Sequence, residues 1–201
     1  MASASQAILD LPLFPLADVL FPGGALQLRI FEPRYLDMVR ECAREGRGFG
    51  VCLILEGHEA GAPPVSAAVG TLARITDFFN TGDGLLGIAA EGGERFRVVQ
   101  ARVRDNGLIR GDLECWPAEP EVAVPAELGL LPTILERLVE QVQPPWRNVS
   151  RTLYDDACWV GFRLAELLPL DGAERQYLLE MTDPLLRLHA LRDILPRFQR
   201  G

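Results

Sequence analysis

RFRVVQARVRDNGLIRGDLECW, residues 95–116, decides the fold class. Two runs rich in Val, Phe, Ile and Leu flank Asn106-Gly107, a pair that accepts the positive φ values of a two-residue type I′ turn, so the stretch reads as a β-hairpin. Its first arm carries apolar residues on both faces, Phe96 and Val98 on one and Val99, Ala101 and Val103 on the other. A bulge at Val98-Val99 brings all five to one core and leaves Arg95, Arg97, Arg102 and Arg104 in water.

Working outward towards the N-terminus, the same texture repeats. Short apolar runs at 8–13, 25–31, 49–55, 69–79, 85–90, 95–104 and 108–116 are separated by Gly, Pro, Asn and Asp, the signature of successive strands. Gly82-Asp83-Gly84 turns the preceding hairpin, and 56–68 is an exposed loop. The exception is PRYLDMVRECARE at 33–45, where Tyr35, Met38, Val39 and Cys42 recur at helical spacing between Pro33 and Gly46; this predicts one helix set on the strands. Residues 8–118 are therefore expected to form a β-rich domain with that helix.

Beyond it, PAEPEVAVP at 117–125 holds three prolines in nine residues and reads as an extended connector. Residues 125–199 then change to helical periodicity. Ile134, Leu135, Leu138, Val139 and Val142 form one face, ended by Pro144-Pro145. A second helix is expected from Ser150 as N-cap to Leu168, and Asp171 to Glu174 forms a capping box for a third. Asp183-Pro184 opens a fourth with Leu185, Leu188, Leu191 and Ile194-Leu195 as its apolar stripe. The class is α+β: a β-rich half, then a four-helix half.

Composition narrows the chemistry. All 20 basic residues are arginine. Without lysine there is no Walker A loop, no Ser-Lys dyad and no Schiff base. A net charge of −8 opposes phosphate backbones, so nucleic acid is not an expected partner. The N-terminus has no basic residue before Arg29, and its apolar stretch is broken by Asp10, Pro12 and Pro15, unlike a signal peptide. No apolar run approaches the ~20 residues of a membrane span. A cytoplasmic protein with no membrane partner is expected, its cysteines (Cys42, Cys52, Cys115, Cys158) acting mainly as buried free thiols.

Two longer segments carry a family resemblance. LPLFPLADVLFPGGALQLRIFEPRYLDMV at 11–39, with VGTLARI at 69–75 and GERFRV at 93–98, resembles the short bacterial stand-alone members of the Lon N-terminal domain family. LPLDGAERQYLLEMTDPLLRL at 168–188 resembles the helical end of that domain in full Lon proteases. The resemblance implies a PUA-like pseudo-barrel followed by a helical bundle, and a role in recognising protein substrates for quality control. The ATPase and protease of the full enzyme would begin where this sequence stops.

Candidate chemistry within the chain is thin. Ser66, Ser150, Ser3 and Ser5 lie in no nucleophile elbow, and a Cys52–His58 pair would need a thiol that sits inside an apolar strand. His189 falls in the last helix. Asp155-Asp156 reads as a solvated helix surface. Gly23-Gly24 and Gly92-Gly93 lead into strands and read as turn glycines, where phosphate cradles lead into helices. No catalytic residue, cofactor site or metal site is expected. The feature that stands out is adjacency: Phe78-Phe79 and Leu85-Leu86 each place one apolar side chain away from a single core, because successive strand residues face opposite ways. These four residues are the expected peptide-binding patch for unfolded or peptide segments of other proteins, bound weakly and without catalysis. The competing expectation is a small molecule held in a groove between the β-rich and helical halves. The residues leave the oligomeric state open.

Overall fold

The computed structural model describes residues 6–198; Ser3, Ser5 and residue 199, the expected end of the helical half, lie outside them. The chain divides after Ala118 into two compact units. The first contains β1 (Ala7–Leu16), β2 (Ala25–Ile30), α1 (Pro33–Glu45), β3 (Phe49–Glu56), β4 (Val65–Asn80), β5 (Leu86–Val103) and β6 (Ile109–Cys115). The second contains α2 (Leu130–Val142), α3 (Ala157–Leu167), α4 (Gly172–Glu180) and α5 (Pro184–Ile194), with short 3-10 turns at Ala126–Leu128, Arg151–Asp155 and Leu195–Phe198.

The strand order is β2-β5-β4-β3-β1-β6, and β6 pairs again with β5. Five strands thus close on themselves, which removes their edges; β2 lies outside the ring and, among the described residues, has a strand on one side only. β5 makes this possible by serving both partners. Leu86–Glu91 pairs with β2, and Phe96–Val103 pairs with β6. Where the sequence predicts two strands, at 85–90 and 95–104, there is one. Gly92-Gly93 bends it without ending it. The Gly92 N–H donates to the Gly24 carbonyl at 2.8 Å and its carbonyl accepts from Gly23 at 2.7 Å, while a Cβ at Gly92 would lie 2.2 Å from the Phe21 carbonyl oxygen.

Apolar residues on both faces of these strands have two destinations. Leu11, Leu13, Cys52, Phe96, Leu113 and Cys115 fill one cluster. Phe14, Leu16, Phe49, Val51 and Ile88 fill another with Tyr35, Met38, Val39 and Cys42 of α1. Pro33 starts α1 and Gly46 ends it in the left-handed conformation at φ 63°. In the first cluster Phe96 fits because Gly50 and Gly70 face it: a Cβ at either would come within 2.8 Å of its ring.

Two readings of the deciding hairpin need correction. The register shift does fall between Val98 and Gln100, but Val99, Ala101 and Val103 stay exposed and Arg95 is buried, its guanidinium 5.0 Å over the Trp116 ring. Phe96 and Leu113 already fill the interior at that level. The turn is not type I′ either. Only Gly107 takes a positive φ (81°); its N–H donates to the Arg104 carbonyl at 2.8 Å, and Arg104 donates to Leu108 at 2.9 Å. This is a three-residue loop with a left-handed glycine.

In the second unit Leu128, Leu131, Leu135, Val160, Leu164, Leu178, Leu188 and Leu191 are buried. The Asp171–Glu174 capping box is complete, and Asp183 caps α5 by accepting from Leu185 and Leu186. The helix expected over 150–168 is split. Ser150 caps a 3-10 turn, and Asp156, not a solvated surface residue, is the N-cap of α3, accepting from Cys158 and Trp159 at 3.2 Å each. The expected connector is part of this unit: Ala123 bridges Asp156, and Glu119 pairs with Arg187.

Candidate functional site: the free end of the sheet

The end of the first unit formed by β2, β5 and β4 carries the exposed aromatic residues. Opposite Ile30 on β2 stands Leu86 on β5, and opposite Leu86 stands Asn80 on β4. Phe78 faces Ile88 and Phe79 faces Gly87. Cross-strand partners share a face, so Phe78 and Leu86 lie on the side that carries the α1 core, while Phe79 lies on the other. All four residues of the sequence-derived patch therefore reach one hairpin, but not one face. Phe78 and Phe79 are 48% and 36% exposed. Leu86 is half-buried against the α1 core. Leu85 is also half-buried and lies in the turn, where its carbonyl accepts from Thr81 N–H at 3.2 Å.

Local chemistry holds this tip in shape. The Phe79 ring lies over Gly87, where a Cβ would come within 2.3 Å of it; only glycine lets the ring lie on the neighbouring strand. Gly82 and Gly84 turn the chain at φ 81° and 84°. Between them Asp83 accepts from the Thr81 hydroxyl and the Arg29 guanidinium of β2, and its carboxyl lies below the ordinary aspartate range, chiefly through the Thr81 hydrogen bond. Phe31, the residue after Ile30, is 59% exposed at the same end. Sequence reading treated it as one more strand residue; an aromatic directly before the Glu-Pro start of α1 is the signal that could have found it.

Cavities lie elsewhere in this unit. One of about 450 Å³ is walled by Ile8, Leu11 and Leu72 with Gly46, Gly48, Gly92 and Gly93, and rimmed by Arg47, Arg74, Glu91 and Glu94. A second, of about 780 Å³, is charged. Its walls include Asp10, a non-glycine residue at φ 51° in the β1 bulge between Ile8 and Leu11. The Asp10 carbonyl accepts from Arg110 Nε at 3.0 Å, its N–H donates to Asp112 at 2.9 Å, and its carboxylate takes Arg104 at 2.8 Å. Glu41 in the same wall accepts two 2.8 Å bonds from Arg110, which hold its carboxyl down at about 2 against the desolvation that opposes them. The third cavity, of about 200 Å³, is uncharged.

The remaining candidates are not brought together. Cys52 points into the barrel cluster, burial pushes its thiol up to about 12, and His58 is exposed in the loop that follows β3. The arginines of β5 already have carboxylates: Arg97 with Glu114 at 2.7 Å, Arg102 with Asp112 at 2.6 Å and Arg104 with Asp10. Among the described residues, no group of three or more His, Cys, Asp or Glu is placed to hold a metal ion, and no helix is long and apolar enough to cross a membrane.

Fold and sequence together define a Lon-type N-terminal domain. The chain belongs to the ATP-dependent protease La (LON) substrate-binding domain family, whose model matches residues 10–197. It is 46% identical to a Lon N-terminal domain protein from Xanthomonas campestris of known structure, covering 93% of this chain and 99% of that one with a TM-score of 0.78. The N-terminal domain of Mycobacterium avium complex Lon protease shares the fold at 16% identity and a TM-score of 0.62, over 94% and 97% of the two chains. Lon protease 2 of Myxococcus xanthus is 27% identical over 93% of this chain and 23% of its own length. Protein cereblon of Danio rerio is 23% identical over 96% of this chain and 57% of its own. The chain thus spans about a quarter of the Lon protease it matches, and the family model that covers it is described as the substrate-binding domain.

Proposed function

We propose that the chain is a non-catalytic module that binds exposed apolar segments of other proteins, and that the free end of the sheet is where it does so. The observation that carries this reading is the exposure of Phe78 and Phe79 on β4 and of Phe31 directly after β2, at the end of the sheet where β2 lies outside the closed ring. Large exposed aromatics gathered at one place mark interaction surfaces more often than scattered ones do. β2 adds a second means of contact. Among the described residues no strand lies along its outer backbone edge, and an extended chain can pair with such an edge while its side chains meet the aromatics.

Binding there is weak. A segment burying ~350 Å² of apolar surface gains about 9 kcal/mol at ~25 cal/mol per Å², less association costs of at least ~4 kcal/mol. A net of about 5 kcal/mol is a dissociation constant of roughly 0.2 mM, suited to sampling chains and not to holding them. The test is titration of a permanently unfolded protein against wild type and a Phe31→Ser, Phe79→Ser double variant. These two positions avoid Leu86, whose half-buried side chain supports the core. The double variant is expected to keep the wild-type melting curve and bind at least ~5-fold more weakly. Equal binding by both proteins removes the surface from consideration. The same preparations are expected to hydrolyse neither ATP nor the unfolded protein.

A further inference from the structure

We propose that the uncharged cavity at the Pro15 end of the closed sheet is a binding site for a small neutral ring compound, phenol- to indole-sized, with one hydrogen-bonding group for Ser66. It goes beyond the chain-binding reading and is independent of the aromatic end of the sheet.

β1 gives Leu11 to the 450 Å³ cavity and Leu13 to the 200 Å³ one; Gly48 just before β3 and Cys52 within it divide in the same way, as do Leu72 and Ala68 of β4 and Glu94 and Val98 of β5. Between those positions on three of the strands lie Gly50, Gly70 and Phe96, and the Phe96 ring packs on both glycine positions. The aromatic wedge therefore falls between the two cavities, one at each end of the ring of strands. They differ in chemistry. The larger is rimmed by two arginines and two glutamates. The smaller has no charged residue in its wall.

Ser66 is what makes the smaller cavity a site and not a packing defect. Its Oγ is buried and has no protein hydrogen-bond partner, although buried hydroxyls are nearly always satisfied and an unsatisfied one calls for a partner from outside the chain. It lines the cavity with Leu13, Pro15, Cys52, Val98 and Ile109, a wall otherwise apolar apart from one thiol that burial keeps neutral. Volume sets the size of the guest. An engineered apolar cavity of about 150 Å³ accepts benzene, so about 200 Å³ suits a substituted or fused ring. A charged guest would find no counter-charge in the wall and pay its full desolvation cost. The small, exposed Ala68 and Ala101 leave the entrance open.

The test titrates phenol, indole, benzoate and N-acetyl-tyrosinamide into the full chain by calorimetry and by side-chain methyl NMR. Wild type is expected to bind phenol or indole saturably, one per chain, with a dissociation constant on the order of 1 mM or lower, shifting Leu13, Val98 and Ile109 methyls. Ser66→Ala is expected to weaken phenol about fivefold to tenfold, and Ala101→Phe, which fills the entrance, to abolish binding. Both variants are expected to melt like wild type and bind unfolded chains unchanged, so this proposal can fail while the chain-binding reading stands. No saturable binding overturns it, as does benzoate binding as tightly as phenol, or indifference to both substitutions. Binding of the tyrosine amide without phenol also overturns it, by assigning the cavity to a side chain of a bound protein.

Discussion

The two units solve the problem of filling space in opposite ways. The helical unit buries charge: Arg187 is fully buried, donates to the carbonyls of Leu178 and Met181, pairs with a Glu119 that is itself 4% exposed, and lies 3.9 Å over the Phe162 ring. Arg163 is nearly as buried beside Glu166, over Trp146. The β-rich unit also buries Arg95 under Trp116 and Arg110 beside Glu41, but the interior of its closed sheet is built around one aromatic ring set on two glycines, with a cavity at each end. A unit locked by buried ion pairs has little freedom to adapt. A unit with open ends and exposed aromatics has surfaces to offer, which is why we propose it as the binding unit.

That contrast breaks most visibly at Arg187. Arg187→Met leaves Glu119 buried without its partner and is expected to cost about 3–5 kcal/mol, read as an earlier urea transition in the far-UV circular dichroism of the helices. Replacing Glu119 by Leu as well is expected to recover most of the loss. If the single variant unfolds like wild type, the buried pair does not hold the helical unit.

The next effect in size is in the sheet and depends on pH. Glu41 titrates at about 2 in the folded protein against 4.5 for the free side chain, first because of its Arg110 hydrogen bonds. A depressed carboxyl stabilises fully above about pH 4.5, and that contribution is lost as pH falls towards 2. The shift sets an upper value of about 3 kcal/mol. Glu41→Gln is expected to be less stable than wild type at pH 7 and to lose less stability between pH 4.5 and 2. Parallel stability curves for the two proteins would refute it.

Local rules carried much of this architecture. Pro33 and Gly46, the Asp171–Glu174 box and Asp183-Pro184 each act through neighbours within a turn or so, and these ends fall where the residues say. Placement on faces was less legible. The Val99 side chain depends on what Leu113, fourteen residues later, has already filled, and Arg95 is covered by Trp116. The patch shows the same limit. Adjacent apolar residues at 78–79 do point to opposite faces of β4, but Leu85 falls in the turn and not in a strand, and which residue meets the core is set by cross-strand pairing, through which Phe31 also enters. Cavities and the strained Asp10 leave no local trace, since both arise from residues about a hundred positions apart.

On this proposal, chains bind the free end of the sheet and not the helical unit. The most direct measurement is an amide NMR titration of the full chain with a permanently unfolded protein, followed residue by residue. The account predicts concerted shifts over Ala25–Phe31, Asp77–Thr81 and Leu85–Ile88, with the amides of α2 to α5 unmoved. Shifts confined to the helices, or spread evenly over the exposed surface of both units, would contradict it.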